Sequence, residues 1–183
     1  MVTVFLADGF EEMEAVVPID ILRRGGVAVR TCSITDSRRV IGAHQIPFEA
    51  DFCIGELTEG EDVILLPGGM PGTLHLKQSE VLCDRIRKHY LENKLLAAIC
   101  AAPTVYGSLG LLEEEAATCY PGFEGELNCR VSKSDAVVES GRFITARGPG
   151  CAVPFAMKLL ERLAGKEIRK SVFSAMCFEG DLN

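Results

Sequence analysis

Two kinds of run alternate along the chain. Short, almost wholly apolar stretches end at turn residues: Val2 to Ala7 before Asp8-Gly9, "VAVRTCSIT" over 27–35, "DVILLPGG" over 62–69 and "LLAAIC" over 95–100. A run without polar alternation suits a strand covered on both faces. Between these runs lie longer segments with apolar residues at helical spacing. Residues 11–24 carry Met13, Val17 and Ile21 on one stripe and Glu14, Pro18 and Leu22 on another; residues 79–93 carry Leu82, Ile86 and Tyr90. A later helix places Ala152, Phe155, Leu159 and Leu163 inward and stops at Gly165. Pro18 removes a helical hydrogen bond in mid-helix but is tolerated in a first turn, so residues 11–24 read either as one kinked helix or as a turn followed by a helix. The remaining signals are a hairpin or paired edge strands over 40–54, a short helix from Pro103, a strand "AATCY", a hairpin "DAVVESGRFITARG" turning at Ser140-Gly141, and a closing helix over 166–178.

Strand, helix and strand are complete by Thr35, and the alternation then recurs. This order predicts an α/β fold with a mostly parallel sheet, right-handed crossovers and helices on both faces. In such sheets ligands sit at the carboxyl ends of the strands, which brings three loops together: 8–14, 67–71 and 100–103. With 183 residues and no linker or shift in composition, the chain is expected to form one domain, 1–183.

Charge and cysteine usage narrow the function. A net charge of −7 argues against a nucleic-acid partner, and the basic group Arg23-Arg24 with Arg30 is too short to grip phosphates. No apolar run reaches the ~18 residues of a membrane span. The first residues run from strand to acidic turn without a basic leader, so a soluble, cytoplasmic protein without membrane contact is expected. The eight cysteines contain no C-x-x-C pair, and with three histidines they point to reduced thiols packed mostly in the core rather than to a metal site.

One of these cysteines stands apart. In "AAICAAP", Cys100 ends an apolar strand, Ala98 and Ala102 are small residues two positions either side, and Pro103 suits a first helical turn. Small flanking residues permit the tight strand-to-helix turn that presents a nucleophile, and a helix N-terminus favours a thiolate. The same residues are also compatible with a buried apolar cysteine. Gly68-Gly69 can bring backbone N–H groups near an oxyanion, and the Ala101 amide would point the same way. Of the acids in "DGFEEMEAV", Asp8, Glu11 and Glu12 read as solvent-facing groups at a helix start, whereas Glu14 shares a stripe with Pro18 and Leu22 and points inward. A buried carboxyl survives by hydrogen bonding or by holding its proton.

The segments "ADGFEEMEAVVPIDILRRGG", "DVILLPGGMPG", "AAICAAP" and "TARGPG" together resemble the DJ-one/ThiJ/PfpI superfamily, in its order and spacing and over nearly the whole chain. The resemblance implies a flavodoxin-like (Rossmann-like) sandwich, Cys100 as the reactive, oxidisable cysteine on a nucleophile elbow, and Glu14 as the acid hydrogen-bonded to it. It also implies oxyanion amides from Gly69 and Ala101, a pocket lined by Arg147 and Pro149, and a homodimer with Met13 at the interface. Many members carry a histidine near the thiol where this chain has Tyr120. The protease-like branches place a histidine directly after the cysteine, where this chain has Ala101, so a Cys-His pair is not encoded at this turn.

The resemblance implies a cofactor-independent glyoxalase or protein deglycase that acts on small dicarbonyls or glycated proteins and protects against oxidative stress. The alternative is a redox sensor or holding chaperone working through a Cys100 sulfinate. An intracellular peptidase, or a role in thiamine (thiazole monophosphate) synthesis, ranks lower.

Overall fold

The computed structural model describes residues 1–58 and 60–178. The elements run β1 (Val2–Leu6), α1 (Glu12–Arg24), β2 (Val29–Ser33), β3 (Arg39–Ile41), β4 (Pro47–Glu49), β5 (Phe52–Cys53), β6 (Val63–Leu66), α2 (Gly72–Gln78), α3 (Glu80–Leu91), β7 (Leu95–Ile99) and α4 (Pro103–Ser108). They continue with β8 (Ala116–Ala117), β9 (Val131–Ser132), β10 (Val137–Ser140), β11 (Phe143–Ala146), α5 (Ala152–Ala164) and α6 (Lys166–Ala175). Seven strands form the central sheet in the order β10-β11-β7-β6-β1-β2-β5. Every neighbouring pair in it is parallel except β10–β11.

The continuous apolar strands follow from burial on both sides. Val4, Leu65, Ala97 and Ile144 face a core shared with α1 and α5. Phe5, Ile64, Leu66, Leu96 and Ala98 face a second core with α3 and α4. Successive side chains of a strand point to opposite faces, so a strand between two helical layers needs apolar residues at every position. The sheet with helices on both faces agrees with the expected sandwich.

Several local expectations needed tertiary information. Residues 12–24 form a single helix with the buried Pro18 inside it, so the turn-plus-helix alternative falls. The missing hydrogen bond is offset by Ala15, Ile19, Ile21 and Leu22, which are buried in the α1–α5 core. Gly25 closes the helix against α5, where a Cβ would lie 2.3 Å from Leu160 Cδ1. Residues 40–54 separate into the β3–β4 hairpin and the edge strand β5. "AATCY" forms strand only at 116–117, α2 was not expected, and Leu163 is partly exposed rather than inward.

β1 and β6 are neighbours, while their successors β2 and β7 lie on opposite sides of them. The chain therefore changes direction between β1 and β6, which opens a crevice at their carboxyl ends. The turns after β1, β6 and β7 all lead to this edge.

Candidate functional site

Cys100 follows β7 with φ +65°, a left-handed conformation uncommon for a residue with a Cβ. Such a position costs roughly 1–2 kcal/mol. Backbone hydrogen bonds on both sides hold it: the Cys100 N–H donates to Ala146 O at 2.9 Å, and Cys100 O accepts the Tyr120 N–H at 2.8 Å. Ala98 and Ala102 are fully buried beside it. The side chain thus leaves the plane of the sheet while the backbone remains tied to β11 and to the 118–120 segment.

The first turn of α1 brings Glu14 to the same point. Its side chain is wholly buried, and Oε2 accepts the Gly68 N–H at 2.8 Å. The carboxyl and the Cys100 thiol are neighbours, close enough that each shifts the titration of the other. Oε1 has no protein hydrogen-bond partner by geometry. Gly68 makes this approach possible, because a Cβ there would lie 2.7 Å from Cys100 Cβ and 2.8 Å from Glu14 Oε2. Gly69 adopts φ +90°, and a Cβ on it would lie 2.4 Å from Glu11 N. The Gly69 and Ala101 amides face the Cys100 sulfur and favour its charged form.

Burial dominates the electrostatics. It raises the Glu14 carboxyl to about 7, against the lowering effect of its bonds to Cys100 and Gly68, and the charge of Glu11 raises it further. Burial, followed by the charge and hydrogen bond of Glu14, pushes the Cys100 thiol up to about 12, against the pull of the Gly69 and Ala101 amides. The pair therefore gives up its first proton near neutrality and holds its second far above it. Between these steps it carries one proton and one negative charge, so a thiolate forms only when Glu14 takes the proton. This corrects the expectation of a thiolate stabilised by the helix start: α4 is only 6 residues long, and burial outweighs the local amides.

The other expected residues are distributed around this pair. Tyr120 joins the site through its backbone; its ring is 46% exposed and packs over Gly148, where a Cβ would lie 3.1 Å from Tyr120 Cδ2. Arg147 and Pro149 are half-buried on the loop leaving β11, and the Arg147 guanidinium donates to Ser134 O at 3.3 Å. Met13 is 52% exposed on α1, with exposed Val16 on the same helix.

The acidic loop differs from its sequence reading. Asp8 is exposed and accepts the Ile41 N–H, but Glu11 and Glu12 are buried. Glu11 caps α1 by accepting the Glu14 N–H on Oε2 at 2.8 Å. Glu12 accepts the His44 N–H at 2.8 Å and bonds His44 Nδ1 at 2.8 Å. The signal for Glu11 was present as the spacing Glu11-x-x-Glu14 at a helix start, whereas the partner of Glu12 lies on a distant hairpin. Glu11, Glu12 and His44 bring potential ligand atoms within 4.8 Å of one another, but internal hydrogen bonds already account for Glu12 and for one oxygen of Glu11. All eight cysteines are free thiols, of which Cys32, Cys53, Cys83, Cys100 and Cys119 are buried.

Residues 1–162 match the model of the DJ-1/PfpI family. The chain belongs to this family. Protein dj-1beta of Drosophila melanogaster is 37% identical over 90% of this chain and 89% of its own length. Protein DJ-1 homolog B of Arabidopsis thaliana is 41% identical over 88% of this chain. The chain spans 38% and 45% of the two Arabidopsis relatives, which are longer proteins. A Caenorhabditis elegans relative, 33% identical over 91% of this chain and 90% of its own length, is named glutathione-independent glyoxalase DJR-1.2.

Solved structures agree. Oxidized Toxoplasma gondii DJ-1 superposes with a TM-score of 0.94 at 36% identity, covering 98% of each chain. Drosophila DJ-1beta superposes at 0.92 with 34% identity, again covering 98% of each chain. The α/β architecture is that of DJ-1 family proteins, consistent with a flavodoxin-like sandwich. Among the described residues no helix is long and apolar enough to cross a membrane.

Proposed function

We propose that this DJ-1 family protein acts through Cys100 on small glyoxal-type carbonyls, free or as adducts on proteins, as a cofactor-independent glyoxalase or deglycase. The observation that carries the reading is the buried Glu14 carboxyl set beside a strained Cys100 thiol across Gly68, with the Gly69 and Ala101 amides facing the sulfur. The name of the C. elegans relative supports the substrate class.

Glu14 and Cys100 supply the chemistry in sequence. The sulfur adds to the aldehyde carbon of methylglyoxal as the thiol proton passes to the new oxyanion through Glu14, giving a hemithioacetal. The adjacent amides are suited to hold that oxyanion. The ionised Glu14 then takes the C1 proton and returns it to C2, while the C1 hydroxyl proton passes to the C2 oxygen, leaving a thioester of the 2-hydroxy acid. Water cleaves the thioester, releases the 2-hydroxy acid and restores the thiol. With a pKa near 7, Glu14 can both donate and accept protons at neutral pH.

Cys100→Ala is expected to abolish methylglyoxal turnover, followed by lactate release, while leaving the circular-dichroism spectrum intact. Unchanged turnover in that variant refutes the enzyme reading. The same geometry supports a second reading, in which two oxygens added to Cys100 form a sulfinate held by Glu14 and the two amides. This would serve a redox sensor or holding chaperone in oxidative stress. A cytoplasmic homodimer is part of the proposal, with the exposed Met13 and Val16 of α1 at the interface. Sedimentation at the mass of one chain would refute the dimer.

A further inference from the structure

The Glu14–Cys100 pair depends on which group holds the shared proton, and a second buried carboxylate lies within one turn of α1. Glu11 is 9% exposed, and three of its contacts lead to the pair. Its side chain accepts the Glu14 N–H at 2.8 Å. Its own N–H donates to Gly68 O at 2.9 Å, while the Gly68 N–H donates to Glu14 Oε2 at 2.8 Å. The Gly68 peptide is therefore held on both sides by the first turn of α1. The next residue, Gly69, approaches Glu11 N so closely that a Cβ there would lie 2.4 Å away, and its amide faces the Cys100 sulfur.

We infer that Glu11 is a positioning residue of the Cys100 site: its cap fixes Glu14 against Gly68, and its buried carboxylate disfavours charge on Glu14, which enlarges the small share of the pair's charge that the Cys100 sulfur carries. This rests on the proposed roles of Cys100 and Glu14. Capping alone requires only a neutral acceptor, and serine, threonine or asparagine serve as well at helix starts. A glutamate there places a like charge three residues from an acid that must gain a proton, a spacing at which helical side chains are neighbours. The charge of Glu11 acts on Glu14 in the required direction.

Other ionisable groups face the same turn. Glu12 lies on α1, His44 lies between β3 and β4, and Cys100 lies behind Glu14. His44 is bound to Glu12 at 2.8 Å, and the charges of Glu12 and Glu11 both act to raise its pKa. Glu11 acts on Glu14 as well as on His44. The pair responds by tautomerism: the proton moves from sulfur to the carboxyl, and the nucleophile forms without net loss of a proton.

The test uses the full chain labelled with 13C at the glutamate side-chain carboxyls, with Glu14→Gln identifying the Glu14 resonance. In the parent protein the resonance should titrate near pH 7. Glu11→Gln keeps a cap acceptor and removes the charge, so the Glu14 midpoint should fall by about half a pH unit or more. Iodoacetamide should also alkylate Cys100 about twofold more slowly at neutral pH, because more of the shared charge remains on the carboxyl. Glu11→Asp keeps both cap and charge and should restore both readouts. A midpoint unmoved in Glu11→Gln overturns the inference, and so does an equal fall in Glu11→Asp, because geometry alone would then explain the residue. Turnover of methylglyoxal is read separately. A shifted Glu14 midpoint in a protein without turnover refutes the proposed enzyme while leaving this inference standing; turnover with an unmoved midpoint does the reverse.

Discussion

Replacing Glu14 with glutamine tests how strongly the fold resists the ionised form of this side chain. The Glu14 carboxyl is raised from 4.5 to about 7, chiefly by burial. A folded-state value above the unfolded one contributes relative stability below about pH 4.5, and that contribution is lost as the pH rises through about 7. The full change is about 3 kcal/mol, of which about 2.5 kcal/mol develops between pH 5 and 8. Glutamine keeps an oxygen for the Gly68 N–H and does not titrate. The stability of Glu14→Gln relative to the parent should therefore increase by about 2.5 kcal/mol from pH 5 to pH 8. Cys100, pushed up to about 12, does not titrate in this window, and the other ionisable groups cancel between the two proteins. Urea unfolding of both at half-unit pH steps measures the difference, and equal m-values confirm that the unfolded states are comparable. A stability difference that stays flat with pH would refute the argument, because it would mean that burial does not hold the carboxyl protonated.

Two further outcomes follow from the close packing around the thiol. Gly68→Ala should destabilise the fold by about 2 kcal/mol or more and separate Cys100 from Glu14, because the new methyl would sit 2.7 Å from Cys100 Cβ; a variant with parent stability and reactivity would contradict the geometry. Under mild peroxide, intact-mass and peptide analysis should find two oxygens added first at Cys100, and oxidation starting at another of the eight cysteines would remove support for the redox reading.

The candidate pair was readable in part because its local requirements are strict. Cys100 needed small neighbours to turn out of the strand, and Ala98 and Ala102 supplied them. Glu14 stood out as an acid on an inward stripe. Glu11 and Glu12 did not, because an acid at a helix start has a sufficient explanation in the helix dipole, and nothing local to the chain shows that His44 covers Glu12 or that Glu11 is buried. Arg147 was expected in the pocket on the strength of its motif, and the bond of its guanidinium to Ser134 O across the loop was not readable from the chain.

What the sequence determined by itself was most of the long elements and the class of fold, since apolar runs and helical periodicity are local properties that survive any rearrangement of their neighbours. It also determined the glycines and alanines that permit close approach. Only the tertiary structure decided that Pro18 lies inside one helix, where packing against α5 offsets a missing hydrogen bond. Only it decided the state of the thiol. The sequence pointed to a thiolate favoured by a helix start, but burial beside Glu14 raises both groups and makes them share a proton. Desolvation depends on what surrounds a side chain from every direction, and residues 14, 68 and 100 meet only when three separate turns converge at one edge of the sheet.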